Sequence, residues 1–308
     1  MLVNSKAIFK KAMKEGYAIP AYNASNMEGV LAIVRAAEAQ NSPVILAASK
    51  SALEYAGLDM FVAMVKTVAE KSSVQVVLHL DHGADFEICK KCIDAGFTSV
   101  MIDGSSRPFE ENVAVTKQVV DYAHQRGVTV EAELGKLAGV EDEVNVASKD
   151  AMYTDPNEAK MFVDLTGCDS LAIAIGTSHG ANKFTGEAKL EYTVLQKIRN
   201  LLPETPLVLH GASAVPADLV EICNTYGGEL KGAKGVPDDI IAKAVELGIQ
   251  KVNSDTDLRI ACTGAIRKSL HEKPESFDPR AYGKKSIEAM QKICEHKIVN
   301  AFGSVNKA

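Results

Sequence analysis

Short apolar runs recur eight times along the chain, near positions 18, 44, 75, 99, 128, 170, 206 and 249, each followed by a helix-competent stretch. The runs are continuous rather than alternating, as in Val44-Ile-Leu-Ala-Ala48, which is how parallel strands buried on both faces read. Eight β-then-α units in one chain point to an α/β fold of the (β/α)8 TIM-barrel type. A doubly wound sheet is the competitor, but the first run leads into Asn23-Ala-Ser-Asn26 rather than a glycine-rich phosphate turn. No linker or low-complexity stretch marks a second domain. Residues 1–308 are therefore expected to form one barrel domain, with a last helix over about 283–300 as a C-terminal helical extension.

Local signals place the other elements. Helices are expected over 4–15, 26–40, 58–71, 85–95, 109–126, 154–166, 190–200, 237–247 and 257–271. Gly96 suits a left-handed C-cap, and Pro156 sits where a helix tolerates a missing donor. The acidic, glycine-bearing stretch from Leu134 to Asp150 has no periodicity and the length of a functional lid.

Polar residues gather where these strands end, and in a barrel those ends converge on one face. Asn23 follows the first strand, Ser49 the second, Asp81 and His82 the third, Asp103 the fourth and Glu133 the fifth. His179 follows the sixth, His210 the seventh, and Asn253 with Asp255 the eighth. In the third run, alternation turns His79 and Asp81 to one side and Leu80 and His82 to the other, until a turn at Gly83 re-aims them. Read alone, Asp81 could simply cap the next helix. His82, His179 and His210 are each followed by glycine, which lets backbone turn sharply and approach a ligand.

Three convergent imidazoles without a cysteine partner point to a catalytic Zn2+ with an open fourth position. Asp103 and Glu133 offer oxygen ligands or acceptors that orient the imidazoles. His79, in mid-strand, reads as a supporting residue, and His124, His271 and His296 as solvated helix residues. Gly211-Ala212-Ser213 and Asn253-Ser254-Asp255-Thr256 are small-residue turns after the last two strands, where barrels recurrently bind phosphate. Gly180 and Lys183 add to that site, and Arg259, Arg280, Lys231 and Lys234 are cations within reach of a second phosphate.

The net charge of −6 argues against nucleic acid and anionic membranes as partners. No apolar run is long enough to span a bilayer and no signal peptide is evident, so a cytoplasmic protein is expected. Of the six cysteines only Cys89-x-x-Cys92 has a suggestive spacing, and it lacks a second pair, so reduced thiols are expected. Two rival functions remain open at this point: a zinc-dependent barrel hydrolase, with Asp81 as base for a water, and a non-enzymatic binding protein.

Leu80-Asp-His-Gly83, Ala174-Ile-Gly-Thr-Ser-His-Gly180, Val208-Leu-His-Gly-Ala-Ser213 and Lys251-Val-Asn-Ser-Asp-Thr-Asp-Leu-Arg259 resemble the class II, zinc-dependent fructose-bisphosphate aldolases. The likeness runs from Leu2 through Phe277-Asp-Pro-Arg280 to Phe302-Gly-Ser304, and fits the shorter-chain subgroup that includes tagatose-bisphosphate aldolases. It implies a lyase of glycolysis and gluconeogenesis. Fructose 1,6-bisphosphate would be cleaved reversibly to dihydroxyacetone phosphate and glyceraldehyde 3-phosphate, through a zinc-stabilised enediolate. His82, His179 and His210 would hold zinc, with Asp103 and Glu133 at a second or alternative metal position. Asp81 would exchange the hydroxyl proton, and Glu141 (or Glu143, two residues on) the carbon-bound proton. Gly180, Gly211 to Ser213 and Asn253 to Thr256 match the dihydroxyacetone-phosphate site, and Ser49 the other end. Arg259 and Arg280 match second-phosphate arginines, Arg280 coming from a neighbouring subunit of a homodimer or homotetramer. Monovalent-cation activation is a further expectation. Asp255 and Arg259 lean toward fructose over tagatose bisphosphate.

Overall fold

A computed structural model describes residues 1–136, 139–141, 144–146, 152–178 and 189–308, with 139–141 and 144–146 described by backbone alone. Its strands are β1 Ile19–Asn23, β2 Val44–Ala48, β3 Val76–Gly83, β4 Ser99–Ile102 and β5 Thr129–Leu134. After the short β6 Gly139–Glu141 and β7 Val144–Val146 come β8 Ser170–Ile173, β9 Leu207–Leu209 and β10 Lys251–Ser254. Eight of them close a parallel barrel in the order β1-β10-β9-β8-β5-β4-β3-β2. The expected (β/α)8 architecture is therefore the observed one. Residues 283–300 fall largely in a helix that starts earlier, at Pro279, because Asp278 accepts from the Arg280 amide and Pro279 fits the first turn.

The helices are α1 Lys6–Glu15, α2 Met27–Ala39, α3 Lys50–Ala56, α4 Leu58–Lys71, α5 Phe86–Ala95 and α6 Phe109–His124. They continue with α7 Pro156–Thr166, α8 Tyr192–Leu201, α9 Ala217–Thr225, α10 Asp238–Glu246, α11 Thr256–Glu272 and α12 Pro279–Lys297. Two of them, α3 and α9, escape the periodicity reading because each spans under three turns and buries a single side chain, Leu53 or Cys223. The β6–β7 hairpin falls in the stretch without periodicity, its strands being too short to alternate visibly. Gly96 caps α5 in the left-handed region as anticipated, at φ +103°.

Apolar side chains pack in two main zones and two small clusters. The larger lies between the sheet and the surrounding helices. The smaller joins Ile8, Phe9 and Ala12 of α1 to Ile19, Ala21, Ile45 and Val77, residues early in their strands, so α1 stoppers the N-terminal end of the barrel. Above that stopper the barrel interior turns polar: His79, Ser99, Glu131, His210 and Lys251 are all buried there. An ionic network shares the barrel interior with a small apolar cluster of Met101, Ala172 and Val208, where aliphatic layers alone are usual. Cys89 and Cys92 are buried on α5, where burial pushes the Cys92 thiol up to about 12, so neither offers a reactive thiolate.

Candidate active site

The third strand delivers what its sequence promised, by a slightly different route. Asp85, not Asp81, caps α5, accepting from the Ile88 amide at 3.0 Å. Asp81 points into the barrel mouth, where it accepts from Asn23 Nδ2 at 2.8 Å and Asn253 Nδ2 at 3.0 Å. The re-aiming falls one residue before Gly83. His82 itself adopts φ +50°, and the pairing with β4 is irregular between Leu80 and Gly83. A non-glycine residue in the left-handed region marks a conformation imposed by its surroundings, often at a functional site. That twist carries the His82 ring, otherwise outward by alternation, to an edge-on contact with His210, centroids 4.6 Å apart.

Hydrogen bonds assign the imidazole tautomers. A carboxylate can only accept, so His82 Nδ1 donates to Asp103 Oδ2 at 2.9 Å, leaving Nε2 as the nitrogen that could hold a metal. His210 Nε2 likewise donates to Glu131 Oε1 at 2.8 Å, leaving Nδ1. Asp103 is itself held by the amide and hydroxyl of Ser105, through Oδ1. Two sets of donor atoms lie within 4.8 Å of one another: Asp81, His82 and His210, and His82, Asp103 and Glu133.

Charge balance shows what the site fits. Asp81, Asp103, Glu131 and Glu133 crowd into a buried space whose fixed cation is Lys251. Burial drives the Asp81 carboxyl up, but the neighbouring His82, His210 and Lys251 outweigh it and hold Asp81 below the usual carboxylate range. Burial opposes charge on His82 too, yet Asp81 and Asp103 raise it to about 10. Glu133 goes the other way: burial and Asp103 push it well above a normal glutamate. Its Oε2 accepts no hydrogen bond among the described residues. Protons on His82 and Glu133 supply positive charge that a divalent cation would supply instead. Imidazole nitrogens flanked by carboxylate oxygens are a donor set suited to zinc.

The class II fructose-bisphosphate aldolase profile matches residues 3–307. The chain belongs to this family. A fructose-bisphosphate aldolase of Thermus caldophilus is 49% identical over 308 residues, covering all of both chains. One from Helicobacter pylori J99 is 47% identical over the same span, again covering all of both. Among solved structures, the YdjI aldolase of Escherichia coli K12 superposes with a TM-score of 0.82 at 33% identity, covering all of both chains. Class II aldolases are zinc-dependent lyases that act on sugar phosphates, which agrees with the metal-suited centre described above. Among the described residues no helix is long and apolar enough to cross a membrane.

The remaining expected site residues lie on the surrounding turns and helix starts, on the surface, or outside the described residues. His179, Gly180 and Lys183, the side chain of Glu141, and Glu143 lie outside the described residues. Ser49 is buried at the N-cap of α3, accepting from the Ala52 amide at 3.4 Å. Gly211, at φ +65°, lies so close to Ser178 that a Cβ would meet its carbonyl oxygen at 2.7 Å. Ala212 is buried beside it, and Ser213 Oγ accepts from the Asp255 amide at 3.3 Å, tying the two turns together. Ser254 turns its hydroxyl to Asp257, and Thr256 opens α11. Arg259 pairs with Asp255 at 2.6 Å, while Arg280, 90% exposed, folds back on Asp278. Lys231 is a surface residue beside Glu229. His124 and His296 are half-exposed and paired with Asp169 and Asp238.

Two residues of the centre carry no role in the sequence reading: Glu131 and Lys251. Lys251 Nζ donates to both oxygens of Glu131, at 2.9 and 2.7 Å, and approaches His79 Nε2 at 3.3 Å. His79, lowered to about 3 by burial and Lys251, is neutral, so its Nδ1–H donates to Ser99 Oγ at 2.8 Å. Period-two spacing was the available signal. Glu131 shares a strand face with Glu133, and Lys251 with Asn253.

Proposed function

We propose that the protein reversibly cleaves fructose 1,6-bisphosphate to dihydroxyacetone phosphate and glyceraldehyde 3-phosphate, with zinc held by His82, His179 and His210. The observation that carries this reading is Asp81, clamped by Asn23 and Asn253 beside the His82–His210 pair. Zinc bound there would polarise the substrate's oxygens and offset the negative charge that develops as the carbon–carbon bond breaks.

The chain's own groups do the rest. Asp81, anionic and held by two amides, accepts the hydroxyl proton during cleavage and returns it during condensation. Glu131 and Asp103 fix the imidazole tautomers. Glu133 and Asp103 form the second or alternative divalent position. Glu141, on β6, handles the carbon-bound proton. Gly180, Lys183, Gly211, Ala212, Ser213, Asn253, Ser254, Asp255 and Thr256 receive the dihydroxyacetone phosphate end, and Ser49 meets the other end. Arg259 takes the second phosphate. Arg280, far exposed here, reaches the site of a neighbouring copy, which makes the working form a cytoplasmic homodimer or homotetramer.

One experiment tests the whole reading. Metal content and aldol cleavage of fructose and tagatose 1,6-bisphosphates are measured before and after chelation. Zinc-dependent cleavage favouring the fructose sugar is expected. Cleavage that survives complete metal removal sinks the zinc mechanism, and equal or better tagatose cleavage sinks the substrate choice.

A further inference from the structure

The turn after β9 is held in place from outside itself. Val215 adopts φ +50°, a strained conformation for a β-branched residue that persists only where neighbours impose it. One buried carboxylate does the imposing. Asp257, on α11, accepts from the Ala214 amide at 3.0 Å and the Val215 amide at 2.7 Å. It also accepts from Ser254 Oγ at 3.0 Å, so a single side chain binds the turn after β9 to the end of β10. Its counter-charge comes from the far end of the chain. Lys297, the last residue of α12, places Nζ 3.0 Å from Asp257 Oδ2, and both side chains are fully buried. Lys297 reaches on to Asp238 Oδ1 of α10 at 3.3 Å.

Stability alone is a weak reason to keep such a pair, because buried ion pairs are often no better than well-packed apolar residues of the same volume. What the pair does here is geometric. By fixing the amides of Ala214 and Val215, it fixes the path of Gly211, Ala212 and Ser213 just upstream. By binding Ser254, it fixes where Asp255 and Thr256 begin α11.

We propose that Asp257 and Lys297 are positioning residues for phosphate, setting the shape of the two turns and hence the affinity for the sugar phosphate. The proposal rests on the reading that those turns bind the substrate's phosphate. Neither residue touches substrate; α12 acts on affinity through its last side chain.

The test compares zinc-loaded wild-type enzyme with Lys297→Met, Lys297→Arg and the charge-free pair Asp257→Asn/Lys297→Gln. KM and kcat for fructose 1,6-bisphosphate, competitive inhibition by inorganic phosphate and zinc content are read for each. Loss of the charge-assisted bonds is expected to raise KM and the phosphate inhibition constant about tenfold, with zinc content unchanged and kcat within about twofold. Lys297→Arg is expected to fall nearer wild type. Unchanged KM, or a loss of kcat and zinc with KM unmoved, overturns the proposal. If the charge variants fail to fold, Asp238→Asn removes the partly exposed partner of Lys297. A rise of about twofold in the phosphate inhibition constant supports the proposal there, and no rise overturns it. Ser213→Ala separates the two layers of the argument. If it weakens phosphate inhibition while the clamp variants do not, the clamp alone is refuted. If none of these variants moves phosphate inhibition, the phosphate assignment falls, and the clamp with it.

Discussion

His210 and Glu131, joined by a 2.8 Å hydrogen bond from Nε2 to Oε1, lie 79 residues apart in sequence and are both almost wholly buried. The bond leaves Nδ1 as the His210 nitrogen that could hold a metal. It also ties that imidazole to Lys251, which donates to the same carboxylate. Replacing Glu131 by Gln keeps the shape but removes the charged acceptor. Zinc affinity is expected to fall about 10- to 100-fold in a chelator competition, as it does when acceptors behind a metal ligand are lost. The orphaned ammonium of Lys251 should also cost about 3–5 kcal/mol in the metal-free protein, read by denaturant unfolding. A variant with wild-type zinc affinity contradicts the assignment.

Asp81 has a different duty, and its loss should look different. Asp81→Asn is expected to lower kcat by about 10²- to 10⁴-fold, the usual worth of a positioned proton-transfer group. Zinc content should stay near wild type, since His82, His179 and His210, and the acceptors Asp103 and Glu131, are untouched. Steady-state kinetics on metal-analysed protein checks it; loss of zinc in proportion to activity would make Asp81 a ligand instead.

Gly83 is closely walled in. A Cβ there would meet the Met101 carbonyl oxygen at 2.6 Å and Cys89 Sγ at 2.7 Å. Gly83→Ala should therefore cost about 1–3 kcal/mol through overpacking. Because His82 precedes it in the twisted stretch, zinc affinity should weaken as well. Thermal unfolding with and without added zinc measures both effects.

Acid should unfold the metal-free protein steeply between about pH 4.5 and 3. Burial opposes charge on Glu131, but Lys251 and His210 outweigh it and hold the group down to about 2, below its unfolded value of 4.5. Burial and Lys251 hold His79 down to about 3, below 6.5. Both depressed groups lend stability above their unfolded values and lose it as pH falls toward their folded ones. Within that window His82, raised to about 10, is charged in both states, and Glu133, raised, is protonated once the pH drops below 4.5 in either state. Neither adds slope there. Unfolding free energy against pH should flatten in Glu131→Gln; an unchanged slope counts against this account.

Much of this architecture was legible in the residues. The runs at Val44, Val76 and Ser99 announced strands because burial on both faces leaves no alternation to misread. Asp81, His82, Asp103, Glu133 and His210 followed from strand ends meeting on one face. Glu131 and Lys251 stayed hidden because they sit inside the barrel rather than at its rim, and a charge inside a strand reads as an edge or an error until its partner is known. The tautomers, and the left-handed backbone at His82, were out of reach for the same reason: each is settled by a contact far away in sequence.

β1 pairs with β10, register Ala21 to Asn253, so the barrel is sealed by its first and last strands. Asp81 takes one clamp from each: Asn23 at the end of β1 and Asn253 within β10. Asp81 therefore has both amide partners only once β10 is in place. Residues 1–250 hold five of the seven histidines but lack Asn253, one of the two clamps on Asp81. Closing the barrel and completing the set of partners around Asp81 are one event.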